Sequence, residues 1–489
     1  VKKLNFGRNV QIESTSYFVP KTEAEVLEIL NQNKGRSIRC LGRLHSWSKV
    51  LEGSDVLLDL RCFKNVLPNS VQAMSVEVGA GCQIKRLLAE LEQKTAWTLP
   101  SVGFITEQTI AGAISTGTHG SGRHSLSHYV TGVRVARYDQ QTGNAVIVDI
   151  TAGEELRAAR CSLGCLGVIL SVTMQCRPKY IVEEHFREYQ LLDEVLAAEN
   201  KYPLQQFYLV PWRWSFIAQH RRESESENSR FVWLYHWYRF LLLDIALHLL
   251  VLLVVRVLAF PNVVKFVFRW IAPVCVIRNW RVKGPSSSQL VMEHELFRHV
   301  EIELFVQRHR LPDAIEFLKN AFIASACQQA PKVSELHKQP IDAIRAEIPE
   351  VLRGRYCHHY PICVRKILPD NTLISMASNA GIPPNSESNV TYKAGLLCDA
   401  AWYSITLTNY DRGQRRISFE QLAIFLSESM RRLFDARPHW GKLCSLPTDS
   451  LQSLYPAFDD FRQVCEQADP EGVFRNPWTT NLLQNAAKN

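Results

Sequence analysis

The sequence predicts an α+β protein, and three observations point there. Over residues 1–178, short β-like runs (Val56 to Leu60, Val76 to Val78, Val133 to Arg137) alternate with helical patches (Glu23 to Asn33, Ile84 to Lys94). No Gly-x-Gly-x-x-Gly opens a helix after the first strand, so a Rossmann arrangement fits poorly. At 489 residues the chain is long enough for two or three packed units, and its 46% apolar and 21% charged content is ordinary for a globular protein.

The elements follow in order. Residues 38–48, IRCLGRLHSWS, are a short apolar strand (Ile38 to Leu41) that ends at Gly42 and delivers His45-Ser46. Residues 76–91, VEVGAGCQIKRLLAEL, read as strand, glycine turn and amphipathic helix. Residues 109–122, TIAGAISTGTHGSG, carry the strongest functional signal. Gly117, Gly120 and Gly122 allow positive φ. Successive N–H groups in such a loop converge on an anion, and Ser115, Thr116, Thr118 and Ser121 add hydroxyl donors, as a pyrophosphate site needs. The competing reading is a glycine-rich surface turn. Residues 162–168, SLGCLGV, repeat the small-residue theme before a strand (Ile169 to Met174), and the polar run 221–230 reads as an exposed loop.

Residues 231–282 differ from the rest. Two apolar stretches, 240–260 and 263–277, are split by Pro261-Asn262. A bilayer-spanning helix needs about 20 largely uncharged residues, but the first stretch contains Asp244, His248 and Arg256 within an arc of about 120°. No acid lies between Asp244 and Glu293, whereas Arg256, Lys265, Arg269, Arg278, Arg281 and Lys283 all do. With Trp237, Trp270 and Trp280, this pattern suits an in-plane membrane anchor. A buried helical pair and a spanning hairpin are the alternatives.

Composition excludes other classes. The net charge of +8 is not patterned as a nucleic-acid surface. The thirteen cysteines have no CxxC spacing and read as buried thiols in a reducing compartment, with no metal site expected. Val1-Lys2-Lys3-Leu4 is not followed by the apolar core of a secretory signal.

Together, 38–48, 76–91, 109–122 and 162–168 resemble the N-terminal domain of the vanillyl-alcohol-oxidase-type flavoproteins. The resemblance is greater to the aldonolactone and alditol oxidase branch, which includes L-gulonolactone and D-arabinonolactone oxidases. It covers roughly 4–178 and 290–480, with RPHWGK at 437–442, Tyr455-Pro456 followed by Phe458 and Phe461, and DPEGVFRN at 469–476 in matching order. It implies a two-subdomain FAD-binding domain at 1–178, an α+β cap at 179–430 holding the apolar insertion, and a C-terminal segment, 431–489, returning to the flavin. It also implies membrane association, since animal gulonolactone oxidases carry a similar apolar insertion, in endoplasmic reticulum or bacterial inner membrane.

The resemblance further implies cofactor contacts from Gly42, Arg43, Leu44, His45, Ser46, Gly103, Thr109, Gly112, Ser115, Thr116 and Thr118. His119, Gly120, Ser121, Gly122, Ser162, Gly164, Gly167 and Val168 complete the set. His45 matches the histidine to which the family attaches FAD covalently, although Leu44 stands where the family usually has Gly. His119 is expected to brace its loop or touch FAD, with Gly120 and Ser121 as better contacts. Gly103 beside the flavin would leave room for dioxygen, while Phe104 departs from the Ser of alditol oxidases.

Lys442, held by His439 and Trp440, would stabilise negative charge developing on reduced flavin. In 361–375, PICVRKILPDNTLIS, the residues Pro361, Val364, Arg365, Asp370, Leu373 and Ser375 fit the family pattern. Arg365 would bind substrate oxygens through its planar fork. Cys363 takes the place of the family's Glu, and a thiol is a poorer proton acceptor than a carboxylate. Thr406 and Thr408 could line the same pocket. The leading expectation is oxidation of a secondary alcohol of a sugar lactone by hydride transfer to flavin N5, with dioxygen or an electron carrier as acceptor. A lipid-linked or apolar alcohol is the alternative substrate, and an inactive membrane-tethered flavin scaffold the remaining reading.

Overall fold

The computed structural model describes residues 1–292, 296–328, 352–381 and 400–484. The N-terminal part is built on two sheets. Ser16–Phe18, Val56–Asp59 and Ile38–Leu41 form a parallel three-stranded sheet with Val56–Asp59 in the middle. Ala145–Ile150, Val130–Tyr138, Val168–Gln175, Ser75–Gly79 and Val66–Pro68 form an antiparallel five-stranded one. Helix Ile84–Lys94 buries Ile84, Leu87, Leu88 and Leu91. That i, i+3, i+4, i+7 stripe is why this segment packs as a helix. Thr22 caps helix Glu23–Gln32 by accepting from Glu25 N. Both helices and both sheets feed one apolar core.

The remainder forms an antiparallel eight-stranded sheet. Numbered in chain order within it, the strands are β1 (Ile181–Tyr189), β2 (Gln206–Leu209), β3 (Phe216–Ser224), β4 (Val282–Pro285), β5 (Val300–Gln307), β6 (Ile362–Ile367), β7 (Trp402–Asn409) and β8 (Arg437–Pro438). Their spatial order is β4-β1-β3-β2-β6-β7-β5-β8. Alternation separates its two faces. Val300, Ile302, Leu304 and Val306 of β5, Tyr403, Ile405 and Leu407 of β7, and Ile362 and Val364 of β6 share one core with helices Leu311–Ala326 and Gln414–Phe434. The intervening residues, Glu301, Glu303, Cys363, Arg365, Thr406 and Thr408, point the other way and line a cavity.

The apolar insertion is a helical hairpin over this cavity. Its first arm, Val232–Leu258, is the one helix among the described residues long and apolar enough to cross a membrane by length and composition. Its buried residues include Tyr235, His248, Val251, Val254 and Val255. Trp237, Leu241, Leu249, Leu253 and Val257 are exposed. The fully buried alternative therefore does not hold. The polar stripe of Asp244, His248 and Arg256 faces inward: Asp244 and His248 line the cavity, and Arg256 Nε donates to Tyr410 O at 3.0 Å. Of the twelve described cysteines, Cys40 and Cys62 are exposed and Cys82, Cys161, Cys165, Cys176, Cys363 and Cys465 are buried, so the buried-thiol reading holds only in part.

Candidate active site

Two cavities meet at Gln108, His439 and Lys442, which line both. The first is a groove in the N-terminal part, bordered by residues 38–46, Gly81, Thr109, Gly112, Ser115, Thr116, Gly164 and Gly167. Its walls are tied by a residue that sequence reading missed. The buried Arg39 guanidinium donates to the carbonyls of Val50 (3.1 Å), Leu163 (2.7 Å), Gly164 (3.2 Å) and Phe474 (2.8 Å). The DPEGVFRN run closes the same end. The Asp469 carboxylate accepts from Val473 N and Phe474 N, and Ile38 N donates to Val473 O at 2.8 Å.

Leu44 explains how the turn survives without glycine. Its φ is 61°, so the backbone keeps the left-handed conformation that favours Gly while carrying a leucine side chain. The following His45 lines the groove, stacks on Phe6 at 5.0 Å and places Nδ1 2.9 Å from Arg43 O.

The second cavity is set by strand register. Ile217, Tyr208, Cys363, Thr406 and Glu303 are successive Cα partners across β3, β2, β6, β7 and β5, forming one transverse row. Arg365 lies in the next row, where Nε donates to Gln206 Oε1 at 3.2 Å, and its guanidinium sits 5.6 Å from the Phe104 ring. The RPHWGK run is laced onto β5. His439 N donates to Glu303 O, Leu443 N to Glu301 O, and the fully buried Trp440 Nε1 to Ile374 O at 2.6 Å. This pins Lys442 and His439 at the junction of the two cavities.

Electrostatics distinguish the polar groups. Burial pushes the Cys363 thiol up and Arg365 offsets only part of that, so the thiol is neutral at ordinary pH. Burial also pulls His439 down to about 3, against the pull of Glu303. The ring is therefore neutral, and its Nδ1 accepts from Gly441 N at 2.9 Å. Burial alone would raise Glu301, but Lys442 and His299 hold it well below the usual carboxylate range. Glu303 is likewise held low, against burial, by His119. Glu301 contacts Lys442 directly, His299 Nε2 at 3.3 Å and Thr408 Oγ1 at 3.1 Å. Glu303 Oε1 accepts from Thr406 Oγ1 at 2.9 Å and lies 3.3 Å from His119 Nε2. His119, Glu303 and His439 bring one ligand-type atom each within 4.8 Å of one another.

Of the expected site residues, Gly42, Arg43, Leu44, His45, Ser46, Thr109, Gly112, Ser115, Thr116, Gly164 and Gly167 border the groove. Gly103, Thr118, His119, Cys363, Arg365, Thr406 and Thr408 line the second cavity, and His439 and Lys442 line both. Five lie elsewhere. Gly120 and Ser121 edge a small separate pocket, with Ser121 Oγ donating to Gln205 O. Gly122 packs so closely on Pro203 that an added Cβ would lie 1.9 Å from its carbonyl oxygen. Ser162 and Val168 are buried, Val168 as Cα partner of Ala136. The second half of the 109–122 loop thus packs against the cap sheet, and only its first half faces the groove. Asp370 and Ser375 are knitted to each other and to Ser125 and Thr372. Glu301, Glu303 and His299 were not singled out from sequence, although two acids at i and i+2 of an apolar strand are a readable signal.

The chain matches a D-arabinono-1,4-lactone oxidase family model over residues 172–482 and an FAD binding domain model over 15–142. It belongs to the FAD-linked D-arabinono-1,4-lactone oxidase family. It is an FAD-dependent oxidoreductase with the α+β two-domain flavoprotein fold expected from sequence. A relative named long-chain alcohol oxidase, from an uncultured marine euryarchaeote, is 49% identical over 99% of this chain and 97% of its own. The Bos taurus L-gulonolactone oxidase is 24% identical over 99% of this chain and 98% of its own. Among solved structures, a solvent-stable cholesterol oxidase shares the fold with a TM-score of 0.74 at 14% identity, covering 99% of this chain and 97% of that one.

The groove fits FAD. Gly42, Gly81, Gly112, Gly164 and Gly167 leave its walls open to close approach. Ser46, Thr109, Ser115 and Thr116 supply hydroxyls, and Leu41, Ile169 and Phe474 supply apolar surface, the mixture a dinucleotide with a flat ring needs.

Proposed function

We propose that this protein oxidises a long-chain, apolar alcohol to the aldehyde, with the alcohol bound in the cavity under the hairpin. The observation that carries the reading is the cavity wall. Phe104, Phe186, Leu243, Leu247, Val276 and Phe297 line the same cavity as the neutral Cys363, which stands where the lactone branch carries Glu. Those six side chains offer a carbohydrate's hydroxyls no partner, and burying unpaired hydroxyls is costly. The polar groups of the same cavity, Arg365, Glu303 and Lys442 among them, suffice for one alcohol group. The name of the 49% identical relative supports the same substrate class.

Bound FAD supplies the two-electron acceptor. Arg365 orients the substrate oxygen, and Lys442 and His439 present a cation and a neutral imidazole where the cavities meet. His45 is the proposed covalent attachment point. Dioxygen or an electron carrier takes the electrons onward. The exposed apolar face of the hairpin, with Trp237, Phe266 and Trp270 and with Arg269 over the Trp270 ring, rests in a membrane surface. Access for a lipid-soluble alcohol then lies along its inner side.

The test is anaerobic bleaching of the flavin by alkan-1-ols of increasing length beside gulono- and arabinono-1,4-lactone. Bleaching that improves with chain length is expected. Bleaching by the lactones alone would return the assignment to sugar-lactone oxidation, which the family and the gulonolactone oxidase relatives favour. Sedimentation with anionic vesicles, with and without Trp237→Asp and Leu241→Asp, tests the membrane face.

A further inference from the structure

The family's glutamate is missing from β6, yet removing the hydroxyl proton of an alcohol still needs an acceptor. Resting on the substrate reading above, we propose that Glu303 of β5 takes this role, receiving the alcohol proton on Oε2. The row of register partners places it across Thr406 from Cys363, about 10 Å from the vacated position at two interstrand spacings. Glu303 thus offers a carboxylate on the same row and in the same cavity as Cys363.

The oxygens of the two cavity glutamates are not equivalent. In Glu301 both are engaged, Oε1 by Thr408 and His299 and Oε2 by Lys442. In Glu303, Thr406 and His119 both approach Oε1, which leaves Oε2 for a ligand. Thr406 and His119 thereby fix the plane of the carboxylate. His119 is itself braced, with Nδ1 3.0 Å from Gly120 O and its ring edge-on to Phe305 at 5.0 Å. Cys363 keeps its proton, and the neutral His439 ring, with Nδ1 accepting from Gly441 N, carries its own proton on Nε2. Neither offers a free lone pair, whereas Glu303, held low against burial by His119, is ionised and can accept. The charged and titratable groups facing Glu303 are His119, His439 and Lys442, with Glu301 on its own strand and Arg365 beyond Thr406.

In the step, the O–H bond breaks and its proton goes to Glu303 Oε2. With FAD bound, the C–H bond would break with its electron pair passing to the cofactor as the carbon–oxygen double bond forms. The alcohol is oxidised by two electrons and the cofactor is reduced by two.

The test is anaerobic stopped-flow reduction of the holoenzyme by a long-chain alkan-1-ol. Glu303→Gln should lower the reduction rate about 10²–10⁴-fold while leaving the flavin spectrum and the alcohol concentration for half-saturation close to wild type. Its residual rate should climb with pH as hydroxide or ionised alcohol substitutes. A rate within a factor of a few of wild type, with no change in pH profile, would overturn the inference. Should Glu303→Gln bind FAD poorly, Glu303→Asp, which keeps a carboxylate, should hold FAD and retain more rate than Glu303→Ala; equal rates in the two would also overturn it. Absence of reduction in wild type would instead count against the substrate reading, and the same variants would then be compared on whichever alcohol does reduce the flavin.

Discussion

Leu44 allows a test of whether the His45 turn keeps a glycine backbone. At φ 61° a residue with a Cβ carries a cost of about 1–2 kcal/mol relative to its right-handed or extended forms. The half-buried side chain packs on the cluster of Val10, Ile12, Leu41 and Leu57, returning about 1 kcal/mol of the ~1.5–3 kcal/mol that full burial would give. Leu44→Ala loses the packing and keeps the strain, so it should destabilise by about 1 kcal/mol. Leu44→Gly loses the packing and relieves the strain, at an extra unfolded-state entropy of about 0.5–1 kcal/mol. The glycine variant should therefore match wild type within about 1 kcal/mol and exceed the alanine variant by about 0.5–1 kcal/mol. This inverts the usual order of Ala over Gly. Thermal unfolding of the three proteins at one scan rate, followed by flavin fluorescence, should separate Gly from Ala by about 0.5–1.5 °C, scaling the ~2–4 °C per kcal/mol of smaller domains to this length. An alanine variant as stable as the glycine variant would refute a left-handed backbone at 44.

Further outcomes follow from the two cavities and the hairpin support. With His45 as the covalent tether, acid-precipitated wild type should keep its yellow colour through washing, whereas His45→Ala should lose it. Colour that washes out of wild type would show a non-covalent flavin. Burial raises the Asp411 carboxyl to about 6, beyond what Arg415 and Arg256 offset. A raised carboxyl adds stability below its unfolded pKa near 4 and loses it as pH rises through about 6. Asp411→Asn should therefore raise the unfolding temperature at pH 8 and leave it unchanged or lower at pH 4. An equal shift at both pH values would rule out a titrating Asp411.

Much of the architecture was legible in the sequence because local patterns coincide with the tertiary ones. The stripe Ile84, Leu87, Leu88, Leu91 and the apolar run Ile38 to Leu41 each specify their element without help from distant residues. The candidate groove was legible for a similar reason, since Gly42, Gly112, Gly164 and Gly167 put no side chain into it. The second half of the 109–122 loop was misread because small residues serve tight protein packing as readily as ligand contact. Gly122 against Pro203 shows this. Glu303 escaped because its meaning lies in sheet register, which joins β5 to β6 through a strand a hundred residues later in the chain. The hairpin was seen as amphipathic, but which side turned inward depended on the polar cavity beneath Asp244 and His248.

The alternation along β5 also constrains how this protein can change. Ile302 and Leu304 face the helices while Glu301 and Glu303 face the cavity. Losing or gaining a single residue within Val300–Gln307 would exchange the two sets. Two carboxylates would enter an apolar core, at a cost of several kcal/mol each, and two aliphatic side chains would face the substrate. Length variation in this strand is thus strongly penalised unless a bulge absorbs it, and point substitution is the easier route to a new chemistry.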